Sequence, residues 1–388
     1  MQRKFTAEQT AIRDAIIKLC AEFDAGYWLH CDEHGEFPHA FVAAIRDGGW
    51  LGIAMPEAYG GSGLGITEAA IMMQAITESG AGFTGASAIH LNLFGLNPVV
   101  VFGTEEQKQR MLPPLIAGHE SACFGVTEPN AGLDTTNLQV RAERDGENYR
   151  IFGQKHWTSM AQRASKVLLL ARTTPRDEVQ RKTDGLSLFY TDLNQEFVEI
   201  REIHKMGRRA VDSNAVFYDG MPVPKADLIG EEGKGFQYIL HGLNPERILL
   251  SAEAVGLGRA ALRRAVDYAK EREVFGRKIG MNQGIQHPLA RIWMELEAAN
   301  LMVFDAAARY DGGEECGAQA NAAKYLAAEA GFNACEQAVL THGGMGYARE
   351  YHVERYLREI LIPRIAPVSR EMIFNFIGEK VLGLPRSF

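Results

Sequence analysis

The hydrophobic periodicity of this chain changes twice and never alternates. Helical spacing runs to about residue 121, strand-type alternation occupies about 122–232, and helical spacing returns over 233–388. Strands and helices kept in separate blocks cannot build a doubly wound sheet, which needs a helix between successive parallel strands. They specify a mainly α protein with a central β-domain: a helical N-terminal domain, a small β-barrel or sandwich, and a C-terminal helical bundle. A length of 388 residues suits two or three such units.

Local signals support each block. Thr6 stands three residues before Gln9, a capping-box spacing, and Ile12, Ile16 and Cys20 follow on one helical face. Ala69, Met72, Met73 and Ile76 repeat that spacing within 68–79, and Thr104 caps a further helix. The glycine-rich run over 60–65 follows no strand pattern and is read as a flexible turn rather than a dinucleotide loop. Alternation marks strands near 139–143, 149–151, 166–171, 186–190, 197–201 and 215–218, with Asp145-Gly146 as a hairpin turn. Leu250, Ala254, Leu257, Ala261 and Ala265 form one stripe, and long Ala-rich helices are expected over 283–311 and 316–340.

Charge and cysteine content narrow the function. A net charge of −8 offers no electrostatic footprint for nucleic acid or an anionic membrane. Five cysteines without a C-x-x-C pair fit free thiols in a reducing compartment. Residues 1–8 lack the apolar run of a secretory signal, and no apolar stretch reaches membrane-spanning length. A cytoplasmic protein is expected. His30 and His34 have a zinc-like spacing, but without further ligands nearby a solvated polar loop is the expected reading, with no metal.

Gly125-Val126-Thr127-Glu128-Pro129-Asn130-Ala131-Gly132-Leu133-Asp134 closely resembles the first signature of the acyl-CoA dehydrogenase family. Gly343-Gly344-Met345-Gly346-Tyr347, with Glu350, Arg355 and Arg358, resembles the second. Arg272-Glu273-Val274-Phe275-Gly276-Arg277 with Gln283, Gly153-Gln154-Lys155-His156-Trp157 and the helix opening at Gly103 also match, in order along nearly the whole chain. The resemblance implies a C-terminal four-helix bundle behind the helical and β-domains, FAD as cofactor, a homo-oligomer (a tetramer, with a dimer as minimum unit), an acyl-CoA substrate, and an electron acceptor such as an electron-transfer flavoprotein.

The resemblance also implies roles. A flavin receiving hydride gathers negative charge that backbone N–H groups and a hydroxyl can stabilise; Phe124, Val126 and Thr127 match the segment that supplies them. Trp157, Thr158 and Ser159 match the segment packed on the flavin, with Ser159 at the hydroxyl position. Arg272, Phe275, Gln283, Gly343 and Gly344 match the pyrophosphate and adenine end, where two subunits meet. Ser369 and Glu371 match further cofactor-side positions, and Leu133, Asn244 and Arg247 the substrate side. Leu340 departs from the pattern, standing where many relatives carry Gln.

The base position departs more sharply. Aligning Arg358-Glu359 with the family's Arg-Asp pair puts Pro367 where most members carry the catalytic Glu, and proline neither accepts a proton nor donates a backbone N–H. Asn244-Pro245-Glu246-Arg247 aligns with the helix start where isovaleryl-CoA and long-chain members carry their base, which makes Glu246 the expected base. The competing reading of Glu246 is an exposed acid in a first helical turn. Two other functions use the same fold: a flavin oxidase or monooxygenase, which Pro367 favours and Glu246 opposes, and a flavin-free scaffold member, which would be colourless.

Overall fold

The computed structural model describes residues 5–387. The reading of residues 1–4 as part of a leaderless N-terminus lies outside them. Eight helices come first: α1 (Ala7–Cys20), α2 (Ala25–His34), α3 (His39–Asp47), α4 (Ile66–Ile76), α5 (Gly82–Ser87), α6 (His90–Phe94), α7 (Asn97–Phe102) and α8 (Glu105–Ile116). Thr6 and Thr104 cap α1 and α8 through complete capping boxes with Gln9 and Gln107. The glycine-rich 60–65 segment is a turn that precedes α4.

The strands follow as β1 (Ala122–Gly125), β2 (Arg141–Asp145), β3 (Asn148–Ser159), β4 (Lys166–Arg172), β5 (Leu186–Asp192), β6 (Val198–Glu202), β7 (Ser213–Val223) and β8 (Leu228–Ile229). They make one eight-stranded sheet in the order β6-β7-β3-β2-β4-β5-β8, with β1 parallel to β4. The short strands β1 and β8 carry too few residues to alternate visibly, so sequence periodicity does not announce them.

The chain then returns to helices α9 (Gly235–Glu271), α10 (Gln283–Asp311) and α11 (Gly317–His342), followed by α12 (Val353–Glu359), α13 (Ile362–Ile365) and α14 (Arg370–Phe376). A two-stranded hairpin, β9 (Glu273–Val274) and β10 (Arg277–Lys278), separates α9 from α10. The two helical blocks share one apolar core: Met72, Ile76 and Phe83 pack in the same cluster as Val255, Val303 and Ala327. Gly256 lets α9 approach α4 closely, because a Cβ there would stand 2.1 Å from the Thr77 hydroxyl. Asp311 ties the blocks again, its carboxylate accepting from the N–H groups of Ile66 and Thr67 at 2.8 and 2.9 Å.

Two expectations are corrected. Residues 30–34 are the last turns of α2, not a polar loop, because Asp24 caps the helix and Gly35 closes it in the left-handed region. Within it Asp32 is buried and paired with Arg358 at 2.6 Å. The 244–247 segment is no helix start but lies about three turns inside α9, with Pro245 in the helix interior. The carbonyl of His241, which Pro245 cannot engage, accepts instead from the Asn97 side chain at 3.4 Å.

Candidate active site

The flavin-signature loop leaves β1 at Gly125 and is held from beneath by a buried ion pair. Lys155 Nζ donates to the Val126 carbonyl at 2.9 Å and to Glu128 at 2.8 Å. Glu128 in turn accepts from the N–H groups of Gln139 and Val140 at 2.7 and 2.9 Å. Lys155 is fully buried, and burial pulls its pKa down to about 8 against the pull of Glu128. The His156 N–H also donates to the Thr127 carbonyl at 2.8 Å. These contacts fix the backbone of Val126 and Thr127 while their side chains remain half-buried.

Next to this loop, β3 bulges against β7 between Lys155 and Thr158. Trp157 occupies the left-handed region at φ 60° and leaves its indole 53% exposed. Such a conformation is costly for a bulky residue and marks a functional surface. The buried hydroxyl of Thr158 and Nδ1 of His156 have no hydrogen-bond partner. Ser159 faces Ser213, with the hydroxyls 3.3 Å apart. An exposed aromatic plane beside orphaned polar atoms fits a flat, hydrogen-bonding group such as the isoalloxazine of FAD.

Glu246 projects from α9 into a crevice lined by Gly95, Pro98, Phe124, Ile239, Gly242 and Leu243. The same crevice therefore holds the acid and the β1 residue of the flavin-side segment. Burial raises the Glu246 pKa from 4.5 to about 7, against the opposing charges of His90 and Arg247. This is no exposed first-turn acid. Arg247 points Nη1 to the Asn244 side chain at 3.0 Å and leaves its Nε without a partner. Lys324 of α11 holds the Pro367 segment, donating to the Val368 carbonyl at 2.5 Å. Lys324 is fully buried, and burial lowers its pKa to about 8.

The remaining predicted residues do not join this crevice. Leu133 is 60% exposed on the loop after β1. Ser369 caps α14, and Glu371 pairs with Arg370 at the surface. Arg272 closes α9, Phe275 is fully exposed in the β9–β10 hairpin at φ 53°, and Gln283 opens α10. Tyr268 stacks on His342 at 4.3 Å, which sets the exposed Gly343-Gly344 turn beside the end of α9. His342 itself bonds the Ala338 carbonyl through Nδ1 at 2.7 Å. Sequence reading gave no role to Lys155, Glu128, His90 or Lys324; only the first two sit inside recognisable motif strings. Among the described residues no cluster of three or more His, Cys, Asp or Glu side chains could hold a metal.

The helical–β–helical scaffold sets the half-buried Glu246 carboxylate beside Phe124 of β1 in one crevice, and the family comparisons identify the class as FAD-dependent oxidoreductases. Residues 6–119, 123–221 and 233–382 match, respectively, the N-terminal, middle and C-terminal domains of acyl-CoA dehydrogenase. The chain belongs to the acyl-CoA dehydrogenase family. It is 37% identical over 98% of its length to the acyl-CoA dehydrogenase FadE12 of Mycobacterium tuberculosis, covering 97% of that protein. It is 33% identical to the caffeyl-CoA reductase–Etf complex subunit CarC of Acetobacterium woodii, over 84% of this chain and 86% of that one. Butyryl-CoA dehydrogenase from Megasphaera elsdenii superposes with a TM-score of 0.93 at 27% identity, over 98% of this chain and all of that one. The protein is an FAD-dependent acyl-CoA dehydrogenase.

Proposed function

We propose that Glu246 is the catalytic base for α,β-desaturation of an acyl-CoA thioester. The observation that carries this reading is the crevice shared by the Glu246 carboxylate and Phe124 of the flavin-side strand. Glu246 takes the α-proton while the β-hydrogen departs as hydride, and the bonding pair left at the α-carbon closes the double bond. Bound FAD supplies the acceptor for that hydride. A pKa near 7 suits the task, since the base is then half ionised at neutral pH and basic enough to share the proton. Pro367 has no proton-accepting group, so the usual family position cannot compete.

The other assignments follow the same alignment. Phe124, Val126, Thr127, Trp157, Thr158 and Ser159 would hold the flavin ring, and the orphaned Thr158 hydroxyl gives that segment a hydrogen bond to offer. Arg272, Phe275, Gln283, Gly343 and Gly344 would meet the adenine half, with Ser369 and Glu371 nearby. Because Phe275 is fully exposed, this half is read as completed by a neighbouring subunit of a homotetramer. Exposed Trp293, Met294 and Leu301 on α10 give such an assembly an apolar face. Leu133, Asn244 and Arg247 are assigned to the acyl-CoA. An electron-transfer flavoprotein is the proposed acceptor, by analogy with the relative named as part of an Etf complex. Domain limits at 121/122 and 232/233 fall between the matched family domains.

Five buried free cysteines agree with a cytoplasmic setting, and among the described residues no single helix is long and apolar enough to cross a membrane. The test of the base is Glu246→Gln under anaerobic acyl-CoA titration. The variant should bind FAD and acyl-CoA, yet bleach the flavin about 10²–10⁴-fold more slowly. Bleaching at the wild-type rate would move the base elsewhere.

A further inference from the structure

Behind Glu246 lies a second acid that the desaturation leaves unused. Glu253 follows it by seven residues, two turns of α9, so both side chains leave the same face of the helix. The Glu253 side chain is 1% exposed and meets Nδ1 of His90 at 2.5 Å. A carboxylate at that depth needs a cation or a proton. The imidazole can supply the cation: burial is the largest single effect and works against its charge, but the charge and hydrogen bond of Glu253 together with the charge of Glu246 raise the His90 pKa. His90 also opens α6, and Gly95, the residue that closes that helix, lines the crevice containing Glu246.

We propose that the buried His90–Glu253 ion pair is a positioning device for the base, holding an imidazolium against the Glu246 carboxylate so that it is ionised when substrate arrives. The proposal rests on Glu246 being the base. Glu246 is faced by His90 from α6, by Arg247 and Glu253 from its own helix, and by Lys324 from α11. Arg247 is engaged by Asn244 and Lys324 by the Val368 carbonyl. Arg208, from the loop between β6 and β7, adds positive charge near His90 while bonding Ser87 at 2.9 Å. The imidazolium pairs with Glu253 and adds positive charge near Glu246, on the same helix face. Without it the two acids repel, and a half-buried base retreats to its protonated form.

The test replaces His90 with Asn, whose amide can donate near the Nδ1 position but carries no charge. The readout is the pH dependence of anaerobic flavin reduction, whose acid limb reports ionisation of the base. In His90→Asn the limb should move up by about 0.5–1 pH unit, slowing reduction about 3–10-fold at about pH 6, with FAD content and acyl-CoA binding held. A limb that stays at its wild-type position overturns the proposal. Glu246→Gln run in parallel reports on the base itself: if it still bleaches, the base assignment has failed rather than the pairing. A measurement on the wild-type holoenzyme covers the case in which His90→Asn does not fold. With histidine labelled by carbon-13 at Cε1, one resonance should titrate above the range of an unperturbed histidine. A titration in which no histidine resonance lies above that range would equally overturn it.

Discussion

At the residue scale, the site depends on groups held where their charge is disfavoured. The Glu246 carboxyl titrates near 7 in the folded protein against 4.5 for an ordinary glutamate. Between those values the folded state holds a proton that the unfolded state has released, so stability falls as pH rises through that window. Glu246→Gln should therefore match the wild type in thermal unfolding at about pH 4 and exceed it at about pH 8, by on the order of 1–3 kcal/mol. A gap of equal size at both pH values would count against the raised pKa. Lys155 is the opposite case. Lys155→Met strands Glu128 in the sheet and should cost about 3–5 kcal/mol in urea unfolding, with FAD lost alongside. Full flavin retention would show that the Gly125–Thr127 turn does not need that support.

Residues of this kind were unevenly legible. Roles for Glu246, Trp157 and Arg272 are proposed by resemblance because each sits in a local string of residues. His90 and Lys324 could not be singled out that way, since each owes its role to a partner more than forty residues away, Glu253 and Val368 respectively. Trp157 was found by its motif, but its left-handed backbone was not, because no residue near it demands that geometry.

At the scale of elements, caps and periodicity predicted most helices well. The long helix expected over 283–311 is α10 at Gln283–Asp311. The error at 244–247 has a physical cause: Pro245 reads as a first-turn residue, whereas inside α9 the distant Asn97 bonds the His241 carbonyl that Pro245 leaves free. The β9–β10 hairpin carries the next prediction. It presents Arg272 and a fully exposed Phe275 away from the chain's own core. Arg272→Ala should lower both the FAD content of purified protein and the concentration stability of the oligomer, because a ligand bound across an interface favours assembly by mass action. Sedimentation at several concentrations, with and without added FAD, measures both. A monomer that retains FAD fully would sink the bridging role.

At the scale of the whole molecule, the proposed assignment of the base to Glu246 carries a prediction of acyl specificity. A base on α9 rather than at the Pro367 position is the placement that the resemblance implies for isovaleryl-CoA and long-chain members. Branched, cyclic or long acyl-CoAs should reduce the flavin faster than butyryl-CoA in a stopped-flow panel, and fastest turnover with butyryl-CoA would refute this.

The sequence by itself determined the helix–strand–helix order, the capped helices and the family, because each is written in short-range spacing or in contiguous strings. Only the tertiary structure decided that the two helical blocks share one core, that Glu246 shares a crevice with Phe124, and that His90 pairs with Glu253. Periodicity records which face of a helix is buried. It does not record what buries it, and the ionisation of a buried acid is set by those distant neighbours.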